Sequence, residues 1–221
     1  MIKYKALLFG SIGTIVETSE IQRKSFNKAF KNVGLNWNWT KKKYKNLLNK
    51  SGGENRILKY AKQKKIKVNF IHIRKVKTKI FNNYLKNIKL KLRPGVKNIV
   101  KHCKKKKIKL ALVSSTSTNN INSIFFSLRE DLNKKDFSFI GSSKLIKNPK
   151  PYPDIYKFAL IKLKLKAKQC IAIEDSQESL NSANRAKIKC LIFPGNFHRT
   201  KKFHGALKKI NFLNKNIFNL F

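Results

Sequence analysis

Four short clusters along the chain carry residue types that bind or transfer charged groups. Lys150 opens the run Lys150-Pro151-Tyr152-Pro153-Asp154, and its ammonium suits an anionic oxygen. Glu174-Asp175-Ser176 sets two carboxylates side by side. Ser114 and Ser115 precede a helical stretch, where hydroxyls and free backbone N–H groups together hold a phosphate. The remaining cluster, Phe9-Gly10-Ser11-Ile12-Gly13-Thr14, offers only hydroxyls. Ser11 as a nucleophile needs a base and a third orienting group, and neither stands at a telling spacing.

Each cluster also has a plain structural reading. Lys150-Pro151-x-Pro153 reads as a loop entering a helix with proline near its first turn. Glu174-Asp175-Ser176 can cap the helix that follows, and Ser114 or Ser115 can do the same for theirs. Trp37 and Trp39 read as packing residues, and His72, His102, His198 and His204 suggest no ligand cluster.

The elements that position these clusters follow from hydrophobic spacing. The run 4–9, closed by Gly10, is short and apolar, which predicts a buried parallel strand. Ile21, Phe26, Ala29, Phe30 and Val33 recur at helical spacing until Gly34, and further helices are expected over 40–50, 54–65 and 70–87. Leu92-Arg93-Pro94-Gly95-Val96 then introduces another helix, which ends in the lysine run 104–107, expected to be solvated surface. Strand-like runs at 108–113, 137–140, 170–173 and 189–193 alternate with helical stretches at 118–128, 153–163 and 176–187. That alternation predicts a Rossmann-like α/β fold whose parallel sheet is covered on both faces. In such a sheet ligands lie beyond the carboxyl ends of the strands, which is where all four clusters fall. The segment 198–221 is expected to be an adaptable helix or tail.

The order of the four clusters resembles the motifs of the haloacid dehalogenase superfamily, whose first motif is Asp-x-Asp-Gly-Thr after an apolar strand. Arg23 with Ser25-Phe26-Asn27, Gly34-Leu35-Asn36-Trp37, Gly52-Gly53 with Arg56, and Leu92-Arg93-Pro94-Gly95-Val96 resemble the CbbY branch. That branch comprises sugar-bisphosphate phosphatases linked to carbon fixation. The resemblance implies a sheet core over 1–16 and 91–221, with a helical cap at 17–90. It also implies a phosphate site at Ser114, Ser115 and Lys150, with Thr14 nearby, and cap-side recognition by Arg23, Gly52, Gly53 and Arg56. Asp175, supported by Glu174, remains of the magnesium site, so Mg2+ is expected to bind weakly or not at all.

In working relatives the first aspartate attacks phosphorus and the second moves the proton to the leaving group. Those positions are Gly10 and Ile12 here, and no aspartate precedes Asp131. The cap pattern has drifted as well: Asp-Thr-Glu and His-Arg of the branch stand as Glu17-Thr18-Ser19 and Gln22-Arg23. The resulting expectation is a catalytically impaired or dead enzyme that keeps a pocket for a phosphorylated small molecule and serves as a binding, regulatory or structural subunit, in a protein assembly or alone. One alternative is an active hydrolase on a small phosphosugar such as xylulose 1,5-bisphosphate.

Composition adds a second alternative. A formal net charge of +42 over 221 residues attracts polyanions and makes an RNA-binding or ribonucleoprotein role a further expectation. Only seven of the 52 basic residues are arginine, against the usual habit of base-reading proteins, and lysine beside abundant Asn, Ile and Phe fits drift in an AT-rich genome. With hydrophobic residues at 41%, disorder is excluded. Cys103, Cys170 and Cys190 are odd in number and lack metal-ligand spacing, which fits free thiols in a reducing compartment. The chain shows neither a leader nor an apolar stretch of membrane-spanning length, so no membrane insertion is expected. The branch resemblance implies plastid stroma or bacterial cytoplasm.

Overall fold

The structure, a computed structural model, describes residues 4–48 and 52–220. The ends of the expected spans at 1–3, 49–50 and 221 lie outside the described residues. The chain divides into two units, Met1–Glu17 with Lys89–Phe221, and Thr18–Ile88.

The first unit is built on a six-stranded parallel sheet of β1 (Ala6–Phe9), β2 (Lys109–Val113), β3 (Phe139–Gly141), β4 (Cys170–Glu174), β5 (Lys189–Ile192) and β6 (Lys208–Lys209), in spatial order β3-β2-β1-β4-β5-β6. The apolar runs became strands because both faces are covered: every residue of β1 and β4 is buried, as parallel strands under helices require. The covering helices are α5 (Val96–Lys105), α6 (Thr118–Ser127), α7 (Asp154–Leu163) and α8 (Gln177–Arg185). Leu8, Ala111, Ile155, Ala159, Ala172, Leu180 and Ile192 meet in one core cluster.

β1 sits in the middle of the sheet, paired with β2 so that Phe9 faces Leu112 and with β4 so that Phe9 faces Ile173. Extending that register puts Gly10 level with Val113 and Glu174. The chain's first strand and two distant ones thus end on one line.

The C-terminal segment is the element that departs from expectation. Instead of a helix or tail it adds β6 to the sheet edge and forms a short 3-10 turn at Lys215–Asn219. Two lysines carry no hydrophobic signal for a strand; backbone hydrogen bonds pair them with β5, with Leu207 N donating to Cys190 O at 2.9 Å and Ile210 N to Ile192 O at 2.8 Å, and the Lys209 ammonium donates to Arg199 O at 2.6 Å. Leu213, Ile217 and Phe218 are buried. Gly95, at φ 85°, lets the start of α5 pass so close to the Leu213 backbone that a Cβ there would collide with it.

The second unit holds α1 (Ser19–Asn32), α2 (Lys41–Leu47), α3 (Gly53–Lys64) and α4 (Phe70–Lys86). Thr40 and Asn69 cap α2 and α4, accepting from Lys43 N at 3.2 Å and His72 N at 2.9 Å. Trp39 packs against Phe26 and Phe30 with ring centroids 4.7 Å apart in each pair, and Trp37 meets Tyr60 at 5.0 Å. Both tryptophans are therefore packing residues. Lys77 is buried among Phe26 and Phe81 with its ammonium hydrogen-bonded to Gln22, and burial pushes that amine down to about 7.

Candidate functional site

The carboxyl end of the sheet gathers the four clusters. Gly10 leaves β1 with its N–H donating to Ile173 O at 2.8 Å. A 3-10 turn over Ile12–Thr14 follows, and the Thr14 hydroxyl, fully buried, donates to Ser11 O at 2.6 Å and locks that turn. Ile12 is buried and supplies no polar side chain.

Lys150, buried on the loop before α7, donates to both the Gly10 carbonyl and Glu174 Oε1. Tyr156, two residues into α7 beyond Asp154, donates to the same Glu174 oxygen at 2.7 Å. The Glu174 side chain thus reaches back from the end of β4 toward β1. A Cβ at position 10 would lie closer than 3.0 Å to Glu174 Oε1 and to Tyr156 Oη. The space that a side chain at Gly10 would need is filled by a carboxylate and a phenol.

Electrostatics reinforce that arrangement. Burial pushes the Glu174 carboxyl above the usual carboxylate range, against the pull of the Lys150 ammonium and the Tyr156 hydrogen bond. Burial, with the neighbouring Glu174, raises the Tyr156 phenol well above 10.0. Glu174 is completely enclosed, with Oε1 already holding two donors. A nucleophile must face its substrate with a free oxygen, whereas Glu174 is fully enclosed with Oε1 already engaged by two donors.

Asp175 points elsewhere. Its Oδ2 occupies the space beside Gly13, where a Cβ would meet it closer than 3.0 Å. The cap of α8 belongs to Ser176, whose Oγ accepts from Ser179 N at 3.4 Å, so neither acidic residue is needed there. The cap of α6 is Ser117, accepting from Asn120 N at 3.3 Å. That corrects the reading of Ser114 or Ser115 as caps: they stand three and two residues before the N-cap position. Ser114 is buried and accepts from Thr116 N at 3.2 Å, while Ser115 Oγ is buried with no partner. Ser11 Oγ and Glu174 Oε2 are likewise buried without partners. Three polar atoms with spare hydrogen-bonding capacity therefore lie at the ends of β1, β2 and β4.

Two residues outside the predicted set hold the site together. Arg93, buried, donates to Gly13 O at 2.6 Å, Phe193 O at 2.7 Å and Pro194 O at 2.7 Å, tying the turn after β1 to the loop after β5. Its place in Leu92-Arg93-Pro94-Gly95 was the sequence signal. Tyr156 had no signal beyond its inward position on α7.

The predicted cap residues lie in the second unit. Arg23 forks onto Glu20 at 2.7 and 2.9 Å and donates to Trp39 O at 2.6 Å, so its donors serve the unit's own packing. Gly52, at φ 90°, is the N-cap of α3, and a Cβ on Gly53, its first residue, would stand 3.3 Å from the Phe26 ring. Arg56 lies over the Tyr44 ring at 5.9 Å with its Nε buried and unpartnered.

For Mg2+, the side chains at Gly10 and Ile12 contribute no oxygen, and among the described residues no three His, Cys, Asp or Glu side chains come together. Glu174 Oε1 is committed to the Lys150 ammonium. This donor set does not fit a cation that requires near-octahedral oxygen ligands.

Comparison with known proteins places this geometry in a family. Residues 12–193 match the family description "Haloacid dehalogenase-like hydrolase". The chain is 31% identical over 205 residues to Protein CbbY of Cereibacter sphaeroides, covering 91% of this chain and 89% of that one. It is 28% identical to a CBBY-like protein of Arabidopsis thaliana, over 91% of this chain and 66% of that one. A crystal structure of CbbY from Rhodobacter sphaeroides in complex with phosphate superposes with a TM-score of 0.88 at 29% identity, covering 96% of each chain. A mutant of that protein in complex with xylulose-(1,5)bisphosphate superposes with a TM-score of 0.86 at 30% identity, covering 94% of each. With the sheet order, the strand-end clusters and this similarity over nearly its whole length, the chain belongs to the haloacid dehalogenase superfamily and, within it, to the CbbY-like branch.

Proposed function

We propose that this chain is a catalytically silenced CbbY-like phosphatase that keeps a pocket for a phosphorylated small molecule and acts as a binding, regulatory or structural subunit. One observation carries the reading: position 10 has no functional group, and its side-chain space is filled by Glu174 and Tyr156. Removing a covalent nucleophile costs about a millionfold in turnover in a well-studied hydrolase, and Ile12 leaves the proton-transfer role empty as well. The unpartnered Ser11 and Ser115 hydroxyls, at the same end of the sheet where Lys150 meets the Gly10 carbonyl, support retention of phosphate-ester binding. Mg2+ binding is weak or lost in this reading, for want of carboxylate oxygens. Three buried free cysteines support a reducing compartment of the plastid-stroma or bacterial-cytoplasm type.

The test combines turnover with binding. Phosphate release from xylulose 1,5-bisphosphate with Mg2+ is expected to stay at the buffer background, while calorimetry detects inorganic phosphate or the bisphosphate binding in a Lys150-dependent manner. Turnover above background that disappears in Lys150→Ala would overturn the silenced assignment. Absence of any phosphate binding would remove the retained pocket.

A further inference from the structure

The edge of the sheet where the strands begin, opposite the candidate site, carries a concentrated positive charge that the family reading does not use. Lys109 is the first residue of β2, and its N–H donates to Lys5 O at 2.9 Å, while Lys5 N donates to Gln169 O at 2.7 Å. Lys168 stands in the turn just before β4, and Lys189 begins β5. Adjacent parallel strands lie about 4.8 Å apart, so these four exposed lysines span four neighbouring strands and roughly 14 Å of edge.

The helices deliver more. Each helix feeding a strand ends where that strand begins, so α5 leads into Lys106 and Lys107, α7 into Lys164, and α8 into Lys187. Lys107, Lys164 and Lys187 have φ of 55°, 54° and 58°. This is the left-handed conformation that glycine fills most readily at helix ends. A cation near a helix C-terminus gains from the helix dipole, which accounts in part for those three. Lys109 joins them, its ammonium donating to Leu163 O at 3.0 Å at the end of α7, whereas Lys5, before β1, and Lys168, in the turn before β4, lie at no helix end of this kind. Within the segments 102–109, 134–138, 163–170 and 185–189 the sole carboxylate is Asp136, already paired with Lys104 at 2.6 Å. None of the exposed large hydrophobic residues falls in these segments.

We propose that this strand-entry edge binds the phosphate backbone of a nucleic acid without reading its sequence. Lysine neutralises phosphates as a point charge and releases counterions, whereas base readout favours arginine forks. A membrane-docking or protein-docking surface carries apolar or aromatic anchors within the charged field, and the described residues of these segments include no exposed large hydrophobic side chain. The inference goes beyond the silenced-phosphatase reading and does not depend on it.

The experiment measures fluorescence anisotropy of a labelled uridine-only RNA strand of roughly 20 nucleotides across a salt series on the full chain. The informative variant is Lys107→Gly/Lys164→Gly/Lys187→Gly, since glycine suits the left-handed backbone and the fold is retained or stabilised. It is expected to weaken RNA binding about tenfold or more at ~100 mM salt and to flatten the slope of log affinity against log salt by about 2, at ~0.7 for each lost single-strand contact. Lys168→Ala/Lys189→Ala, on ordinary backbone, is expected to weaken binding in the same sense. A control with equal charge loss elsewhere, Lys62→Ala/Lys64→Ala/Lys67→Ala, is expected to change affinity less than about threefold. Equal weakening by the control triple, or no RNA binding at ~100 mM salt, overturns the proposal. Tighter binding to anionic lipid vesicles or to polyglutamate than to RNA at matched salt does so too.

Discussion

The filled space at position 10 makes Gly10→Ala a sharp probe of the site. Gly10 lies outside the left-handed region, so alanine fits its backbone and alone would gain about 0.4–1 kcal/mol by restricting the unfolded chain. Against this, the added methyl lands closer than 3.0 Å to Glu174 Oε1 and Tyr156 Oη. Overpacking a tight core costs about 1–3 kcal/mol, and breaking one hydrogen bond to the charged group costs about 1.5–3 kcal/mol more. The balance is a loss of about 2–5 kcal/mol, measured by urea denaturation followed by far-UV circular dichroism. In the background Glu174→Ala/Tyr156→Phe, which removes both obstacles, the same methyl is expected to cost less than about 1 kcal/mol, a coupling that a double-mutant cycle isolates. The reasoning is refuted if Gly10→Ala leaves stability within about 0.5 kcal/mol of the parent, or costs the same in both backgrounds.

Other consequences concern the buried charges and thiols. Lys150→Met strands Glu174 without its cation and is expected to cost about 3–5 kcal/mol. Because the folded Glu174 carboxyl already titrates above its ordinary 4.5, its contribution falls as pH rises beyond that value; the variant's Tm is expected to fall more steeply than the parent's from pH 5 upward. Lys77 behaves in the opposite sense: with a folded value of about 7 against an ordinary 10.5, the unfolded chain binds the extra proton between them, and stability rises with pH over that window. Lys77→Met is expected to abolish that rise and to stabilise the protein at pH 7 by up to about 4 kcal/mol, read by the fluorescence of Trp37 and Trp39. Burial raises the Cys103 thiol to about 12 and Cys170 to about 11, so a thiol reagent at pH 8 is expected to label neither until denaturant is added.

What the sequence made legible was local. Short apolar runs bounded by glycine or polar residues placed β1, β2, β4 and β5 within a residue or two, since buried parallel strands must be continuously apolar. The helix expected over 70–87 occurs as Phe70–Lys86 because its apolar spacing and Asn69 cap agree. The missed features are contacts between distant segments. Nothing near Glu174 says that its side chain will turn toward β1, because the cause is an absence at Gly10, 164 positions earlier. Arg93 and Tyr156 acquire their roles from carbonyl and carboxylate oxygens delivered by other elements. The run Ser114-Ser115-Thr116-Ser117-Thr118 offers capping chemistry at every position, and only the path of the backbone selects Ser117. β6 is two lysines, held by pairing rather than by burial.

On the silenced reading proposed above, the occupation of position 10 by its neighbours gives the replacement of a nucleophilic aspartate by Gly10 a direction in evolution. A back-substitution to aspartate would not refill a gap; it would intrude on a settled contact among Lys150, Tyr156 and Glu174. The first step of any return would weaken the fold, and Ile12 would still withhold the proton-transfer partner. On that silenced reading, selection for turnover would have nothing to act on until Glu174 had withdrawn, which would make that state easier to enter than to leave.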